Sequence, residues 1–152
     1  MSLELIEIEQ EGGFDTSYPF PEELCAEVSA AYRELYRKAG FLKPWIGYFI
    51  AFDGRIVGTA GFKSPPADKR VEIAYFTFPG FEAQGIATQT AQALVSLAQS
   101  VDRELAITAR TLPKKNASTS VLQKAGFHCT GTVHDPEDGE VWEWRYSEKN
   151  NA

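Results

Sequence analysis

The chain has 152 residues, 43% of them hydrophobic and 24% charged, with a formal net charge of −6. That length suits one domain with a core of its own, and the composition excludes a chain that is disordered throughout. The longest strongly apolar stretch, 45–52, falls far short of the ~20 residues of a membrane-spanning helix; the acidic balance, with basic pairs only at Lys69-Arg70 and Lys114-Lys115, argues against nucleic acid as a partner.

Residues 3–8 alternate apolar and acidic side chains and predict a first strand. Gly12-Gly13 opens a loop that runs to Pro19. A helix is expected from Pro21, since proline suits the first helical position and Glu22 and Glu23 suit the positive end of the helix dipole. Its core stripe would be Leu24, Val28, Ala31 and Leu35, with Gly40 as its stop. Strands 45–52 and 55–62 are joined by Asp53-Gly54, a strong two-residue hairpin signal. A loop at 64–68 precedes a strand at 71–78, which Pro79-Gly80 breaks. From Gly85 to about Gln99 a helix carries the small-residue stripe Ala87, Ala91, Leu94, Ala98 and Val101, suited to close packing on a sheet. A buried strand follows at 105–109. Asn116 caps a short helix that Gly126 ends, and strands 127–133 and 141–146 flank a turn at 135–139. The order β, α, β-β-β, α, β, α, β-β predicts one α+β domain over residues 1–152, with a central mixed sheet that is antiparallel in its first part.

Cys25 and Cys129 fall in no metal-ligand spacing and sit in apolar contexts, so both read as small core residues. His128 and His134 belong to no ligand pattern, and no metal is expected. Met1-Ser2-Leu3-Glu4 has neither a basic cap nor a long apolar run, so no signal peptide is expected and the thiols read as reduced and cytoplasmic.

The segment with the most chemical information is 71–88, a strand, a short turn and a helix that opens on Gly85-Ile86-Ala87-Thr88. A helix start leaves backbone N–H groups unpaired and carries about half a positive charge, which together favour an anion. Gly85 and Ala87 have little side chain to keep a phosphate away. The segment is not a P-loop, for it lacks Gly-Lys-Ser/Thr, and Gly80…Gly85 does not fit the dinucleotide-binding spacing. Taken alone, the turn reads equally well as tight strand-to-helix packing.

Glu82-Ala83-Gln84-Gly85-Ile86-Ala87 resembles motif A of the GNAT N-acetyltransferase superfamily, Gln/Arg-x-x-Gly-x-Gly/Ala. Downstream, residues 111–127, with Asn116, Ser118 and Val121-Leu122-Gln123-Lys124-Ala125-Gly126-Phe127, resemble motif B of the branch containing the ribosomal-protein N-terminal acetyltransferases. The resemblance covers nearly the whole chain. It implies a twisted sheet flanked by helices and splayed between the strands at 71–78 and 105–110, with acetyl-CoA as cosubstrate in the gap. By this analogy Phe76, Thr77 and Phe78 hold the pantetheine arm through main-chain hydrogen bonds. The N–H groups of Ala83, Gln84, Gly85, Ile86, Ala87 and Thr88 hold the pyrophosphate, and Asn116 and Ser118 face the cofactor. Asn116 also reads as a plain helix cap, and Ser118 as a solvated first-turn residue. Three positions depart from the family pattern. Glu82 fills the usual Gln/Arg slot and would repel a pyrophosphate unless it points away. Leu122 replaces the tyrosine that in many members protonates the leaving thiolate. Lys115 replaces an asparagine, and Asn116 stands one residue late.

The implied reaction is attack of an amine on the acetyl thioester. An alkyl ammonium, with a pKa of ~10, must first lose a proton, and a carboxylate base supplies that step directly or through water. The carbonyl oxygen gains charge and needs an N–H donor, expected from the strand at 76–78. Glu72 is the best base candidate, since it interrupts an otherwise apolar strand, and its plain reading is a solvent-facing sheet residue. Ser118 and Tyr75 are the candidates for the acid. The loops 14–20 and 64–70, with Trp45, Trp142 and Trp144, are candidates to line the acceptor cleft. Trp142, Trp144 and Tyr146 also read as packing, and Glu143 and Arg145 as solvated. The acceptor would be a small-molecule amine or a peptide N-terminus; neither nucleic acid nor membrane is an expected partner, and a homodimer is compatible with the reading. The alternative is a non-catalytic acyl-CoA-binding module on the same fold.

Overall fold

A computed structural model describes residues 3–148. The elements follow the predicted order: β1 (Leu3–Glu7), α1 (Glu22–Ala39), β2 (Gly47–Phe52), β3 (Arg55–Phe62), β4 (Arg70–Thr77), α2 (Ile86–Val101), β5 (Ala106–Thr111), α3 (Ala117–Ala125), β6 (Phe127–Asp135) and β7 (Gly139–Tyr146). The strands form one seven-stranded sheet in the order β1-β2-β3-β4-β5-β7-β6. Every junction is antiparallel except β4–β5, where α2 makes the crossover that a parallel pair requires. At the β2–β3 hairpin, Asp53 and Gly54 both take positive φ, 50° and 84°, as a primed two-residue turn requires.

Alternation along β4 sets the two faces of the sheet. Val71, Ile73 and Tyr75 join Ala91, Leu94 and Ala98 of α2 and Leu122 and Ala125 of α3 in the main core. Glu72, Ala74 and Phe76 look the other way, where Ala74 lines a cavity with Tyr32 and Leu35 of α1.

The buried stripe of α1 differs from the expected one. Cys25 and Tyr36 are its buried positions; Leu24, Val28 and Leu35 are half-buried and Ala31 is exposed. The tyrosines rotate the helix. Gly47 and Gly61 pair across β2 and β3 and leave a patch without side chains, on which the Tyr32 ring lies. A Cβ at Gly61 would meet the Tyr32 hydroxyl at 2.9 Å and the Ile46 carbonyl at 2.7 Å. The Tyr36 hydroxyl donates to the Ile8 carbonyl at 2.8 Å and accepts from the Gly47 N–H at 2.9 Å, tying β1 to β2. Pro21 is the extended N-cap of α1 and not its first helical residue. In α2, Ile86 and Thr90 begin the buried face, Ala87 is half-buried and Val101 is exposed. Cys25 is in the core, where burial pushes its thiol up to about 11, whereas Cys129 is exposed on β6, the outer strand of the sheet. No helix among the described residues is long and apolar enough to cross a membrane.

Candidate active site

The two halves of the sheet part between β4 and β5. These strands pair only at Arg70–Ala106, Val71–Ile107 and Glu72–Thr108. Beyond that point β4 stays with β3 as far as Gly58–Thr77, while β5 stays with β7 as far as Thr111–Trp142. The fork opens into a cleft of about 610 Å³. Tyr75, Phe76 and Thr77 form one wall. The turn and the first residues of α2 form its end, and Ser118, Val121 and Lys124 of α3 form the other wall.

Hydrogen-bond parity assigns the backbone of β4. The Glu72 carbonyl accepts from Lys63 N–H at 3.0 Å, and Phe78 N–H donates to the Val57 carbonyl at 2.8 Å, so the even-numbered residues turn their N–H and C=O toward β3. The odd-numbered residues turn theirs the other way, toward β5 at Val71 and, past the fork, into the gap at Ile73, Tyr75 and Thr77. The main-chain groups expected from Phe76 and Phe78 are therefore committed to β3. Phe78 is buried as well, and its carbonyl accepts from Phe81 N–H at 3.1 Å. Of that trio, Thr77 alone offers main-chain groups to the gap.

At the start of α2, Gly85 takes a left-handed φ of 76° and no side chain caps the helix. The first intrahelical bond runs from Gln89 N–H to the Gly85 carbonyl at 3.1 Å, which leaves the N–H groups of Ile86, Ala87 and Thr88 without an intrahelical acceptor. The first turn carries no acidic residue. Ala83 is also left-handed, φ 64°, a conformation that costs a residue with a Cβ about 1–2 kcal/mol. Glu82, the residue at odds with an anion site, accepts from Gly80 N–H at 3.0 Å and so satisfies part of its own turn. Ala83, Gly85, Ile86, Ala87 and Thr88 line the cleft; Gln84 is exposed outside that lining.

The start of α3 is built differently. The Asn116 side chain accepts from Thr119 N–H at 3.1 Å and Thr119 Oγ1 accepts from Asn116 N–H at 3.0 Å, a closed capping box. Asn116 faces a separate depression with Trp142 and Trp144, away from the cleft, while Ser118 faces the cleft. Lys124 and Val121 were missed by motif reasoning. Their signal was the helical spacing of 117, 120, 121 and 124, which puts one face of α3 on the cleft.

Glu72 stands at the fork itself, as half of the last β4–β5 pair. Its Oε2 is buried without a hydrogen-bond partner, and Lys63 Nζ lies 3.1 Å away but outside hydrogen-bond geometry. Arg110 sits close enough to feel its charge, and pairs with Asp135 Oδ2 at 3.1 Å and Glu143 Oε1 at 3.3 Å. Arg70 holds the other oxygen of Glu143 at 2.8 Å. Glu143 is thus part of an ion-pair network, contrary to the solvated position expected for it. Asp135 Oδ1 accepts from the N–H groups of Glu137 and Asp138, and these bonds, followed by Arg110, hold its carboxyl down to about 2. Tyr75 lines the cleft, and burial pushes its phenol above the ordinary value. Leu122 is core.

The tryptophans named for the acceptor cleft do not come together: Trp142 and Trp144 line the depression beside Asn116, and Trp45 lies elsewhere. Trp45 packs edge-on against Phe62, and Trp144 donates its indole N–H to Thr111 Oγ1 at 3.0 Å on the α3 side of the sheet. Phe14 and Phe20 of the first loop pack on each other, with Phe14 also on Phe49. Among the described residues, no group of three or more His, Cys, Asp or Glu side chains is placed to hold a metal ion.

A family model of the acetyltransferase (GNAT) domain matches residues 9–128. The chain belongs to the GNAT acetyltransferase family. Solved GNAT acetyltransferase structures share its fold. One is the aminoglycoside acetyltransferase AAC(6')-Ib in complex with coenzyme A, at 23% identity and a TM-score of 0.60, over 68% of this chain and 66% of that one, just under two thirds of its length. The ribosomal L7/L12 alpha-N-protein acetyltransferase RimL aligns over 88% of this chain and 75% of that one, at 18% identity and a TM-score of 0.63. The microcin C7 self-immunity acetyltransferase MccE, in complex with acetyl-CoA and AMP, reaches a TM-score of 0.65 at 15% identity, over 84% of this chain and 72% of that one. No curated protein sequence matches the chain.

Proposed function

We propose that this GNAT domain, spanning the whole chain and working in the cytoplasm, transfers the acetyl group of acetyl-CoA to a primary amine by direct attack on the thioester. The observation that carries the reading is the pairing of a forked sheet with an uncapped helix start on one cleft. The N–H groups of Ile86, Ala87 and Thr88 suit the pyrophosphate, with the Gly85 turn and Ala83 leaving room for it. The outward N–H and C=O groups of Tyr75 and Thr77 suit the amides of the pantetheine arm, and one such N–H suits the carbonyl oxygen that gains charge. Lys124, on the α3 wall, adds a cation for the phosphates.

Glu72 is the base in this reading. Its buried Oε2, beside the fork, accepts no hydrogen bond and has the half-exposed Lys63 ammonium beside it, so it can accept a proton from an ammonium or from an intervening water. The amine nitrogen then bonds to the acetyl carbon and the C–S bond breaks. The leaving thiol has an ordinary pKa of ~8.5, so its departure does not depend on a strong acid. That chemistry makes the loss of the usual tyrosine at Leu122 tolerable, and leaves Ser118 and Tyr75 as proton donors. The two free cysteines favour a reducing compartment.

Calorimetric titration with acetyl-CoA, paired with turnover on a panel of amines, tests the reading. Micromolar one-to-one binding, and turnover that falls by roughly 10²–10⁴-fold in Glu72→Gln with binding retained, is the expected result. Binding without turnover of any amine would favour the non-catalytic module; absence of binding would remove the reading altogether.

A further inference from the structure

The opposite face of the sheet offers a place for the acceptor. This inference rests on acetyl-CoA occupying the fork. A second cavity, of about 290 Å³, lies between α1, β4 and the turn before β7. Glu72, Ala74 and Phe76 share the face of β4 that carries it. Phe76 also lines the cofactor cleft, and Lys63, which lines the second cavity, stands 3.1 Å from the orphaned oxygen of Glu72. The cavity lining thus includes, in Lys63, the cation that stands against the base where the sheet parts.

Its walls are mainly apolar, with Ala31, Tyr32 and Leu35 of α1 facing Ala74. Its size falls at the bottom of the ~300–1,000 Å³ range of small-molecule sites, enough for one short arm. Charge selects further. The neighbouring guanidinium groups are taken, Arg110 by Asp135 and Glu143 and Arg70 by Glu143. The charged residues of the cavity lining are Lys63 and Glu137. Lys63 is an alkyl ammonium resting beside Glu72, so the position already accepts the group an acceptor brings. The Lys63 side chain is 49% exposed and that of Glu72 21%, so the lysine can swing out to water and leave the place to an incoming ammonium.

We propose that the acceptor is a small primary monoamine on an uncharged apolar arm, alkyl or arylalkyl. Its ammonium displaces Lys63 from Glu72 and its arm lies along Tyr32 and Leu35. One proton passes to Glu72, the nitrogen bonds to the acetyl carbon, and coenzyme A leaves with the electrons of the C–S bond and takes up the second proton that the nitrogen loses.

The test compares kcat/KM for 2-phenylethylamine and hexylamine with that for spermidine, glycine, a tripeptide and kanamycin, all with acetyl-CoA. The two apolar amines should lead by at least about tenfold. Ala74→Leu, which fills the cavity, should cut that lead by about tenfold or more. Leu35→Asp, at a half-exposed helix position, should shift preference toward spermidine. Calorimetry with acetyl-CoA confirms that each variant is folded. A leading polyamine, amino acid, peptide or aminoglycoside, or a lead that neither variant changes, overturns the inference and leaves acetyl transfer standing. Acetyl-CoA binding without turnover of either apolar amine also overturns it. Failure to bind acetyl-CoA removes both.

Discussion

The starts of α2 and α3 lie on the same side of the sheet and solve the same problem in opposite ways. Each helix begins with N–H groups that have no partner within the helix. In α3 the chain supplies the acceptor itself, through the reciprocal Asn116–Thr119 bonds. In α2 it supplies none: the N-cap is a left-handed glycine, the first turn has no acid, and the nearest carboxylate, Glu82, is turned back onto Gly80. A chain that satisfies its own donors gains stability from them. A chain that leaves them open onto a cleft keeps them for a ligand. The contrast separates a structural helix start from a binding one, although both read from sequence as a small polar or glycine residue before a helical stripe.

The difference can be broken by giving α2 an acceptor of its own. In Ala87→Asp a carboxylate joins the first turn and meets the pyrophosphate site, and the acetyl-CoA Kd should rise by roughly 10–100-fold, or about 1.4–2.8 kcal/mol, in a calorimetric titration. Removing an acceptor the chain needs has the opposite signature. Tyr36→Phe strips a hydroxyl that serves both Gly47 N–H and the Ile8 carbonyl, and should cost about 1–3 kcal/mol in denaturant unfolding, with acetyl-CoA affinity within about twofold. Asn116→Ala opens the capping box of α3 and should cost about 1 kcal/mol, lowering Tm by ~2–4 °C, again with affinity almost unchanged.

Asp135 extends the comparison to a turn. Its carboxylate holds two backbone N–H groups and Arg110, and its folded value of about 2 lies below the ordinary 3.8. A depressed carboxyl stabilises the fold fully above its unfolded value and loses that contribution as pH falls from near 4 toward 2. Unfolding measured across this window should show a smaller acid loss in Asp135→Asn than in the unchanged chain.

What was legible in the sequence is local. Asp53-Gly54 marks its hairpin, and Asn116 and Gly126 bracket α3, because a turn or a cap involves residues a few positions apart. The strand–turn–helix of 71–88 was legible for the same reason. What depends on a distant partner was not. The stripe of α1 turns because Tyr32 meets glycines on two other strands. Glu143 leaves solvent because β5 and β4 bring Arg110 and Arg70 to it. The backbone of Phe76 and Phe78 faces β3, and that of Tyr75 and Thr77 the gap, because hydrogen-bond parity is set by Lys63 and Val57 across the strand pair. Asn116 carried two readings, and the folded chain uses its side chain as a cap away from the cleft.

The most direct test of the central claim is a titration of ¹⁵N-labelled protein with acetyl-CoA, read at the backbone amides of the two helix starts. The account predicts large, saturable shifts at Ile86, Ala87 and Thr88 and small ones at Asn116 and Thr119, with Ala87→Asp weakening the response. Equal shifts at both starts, or none at α2, would contradict it.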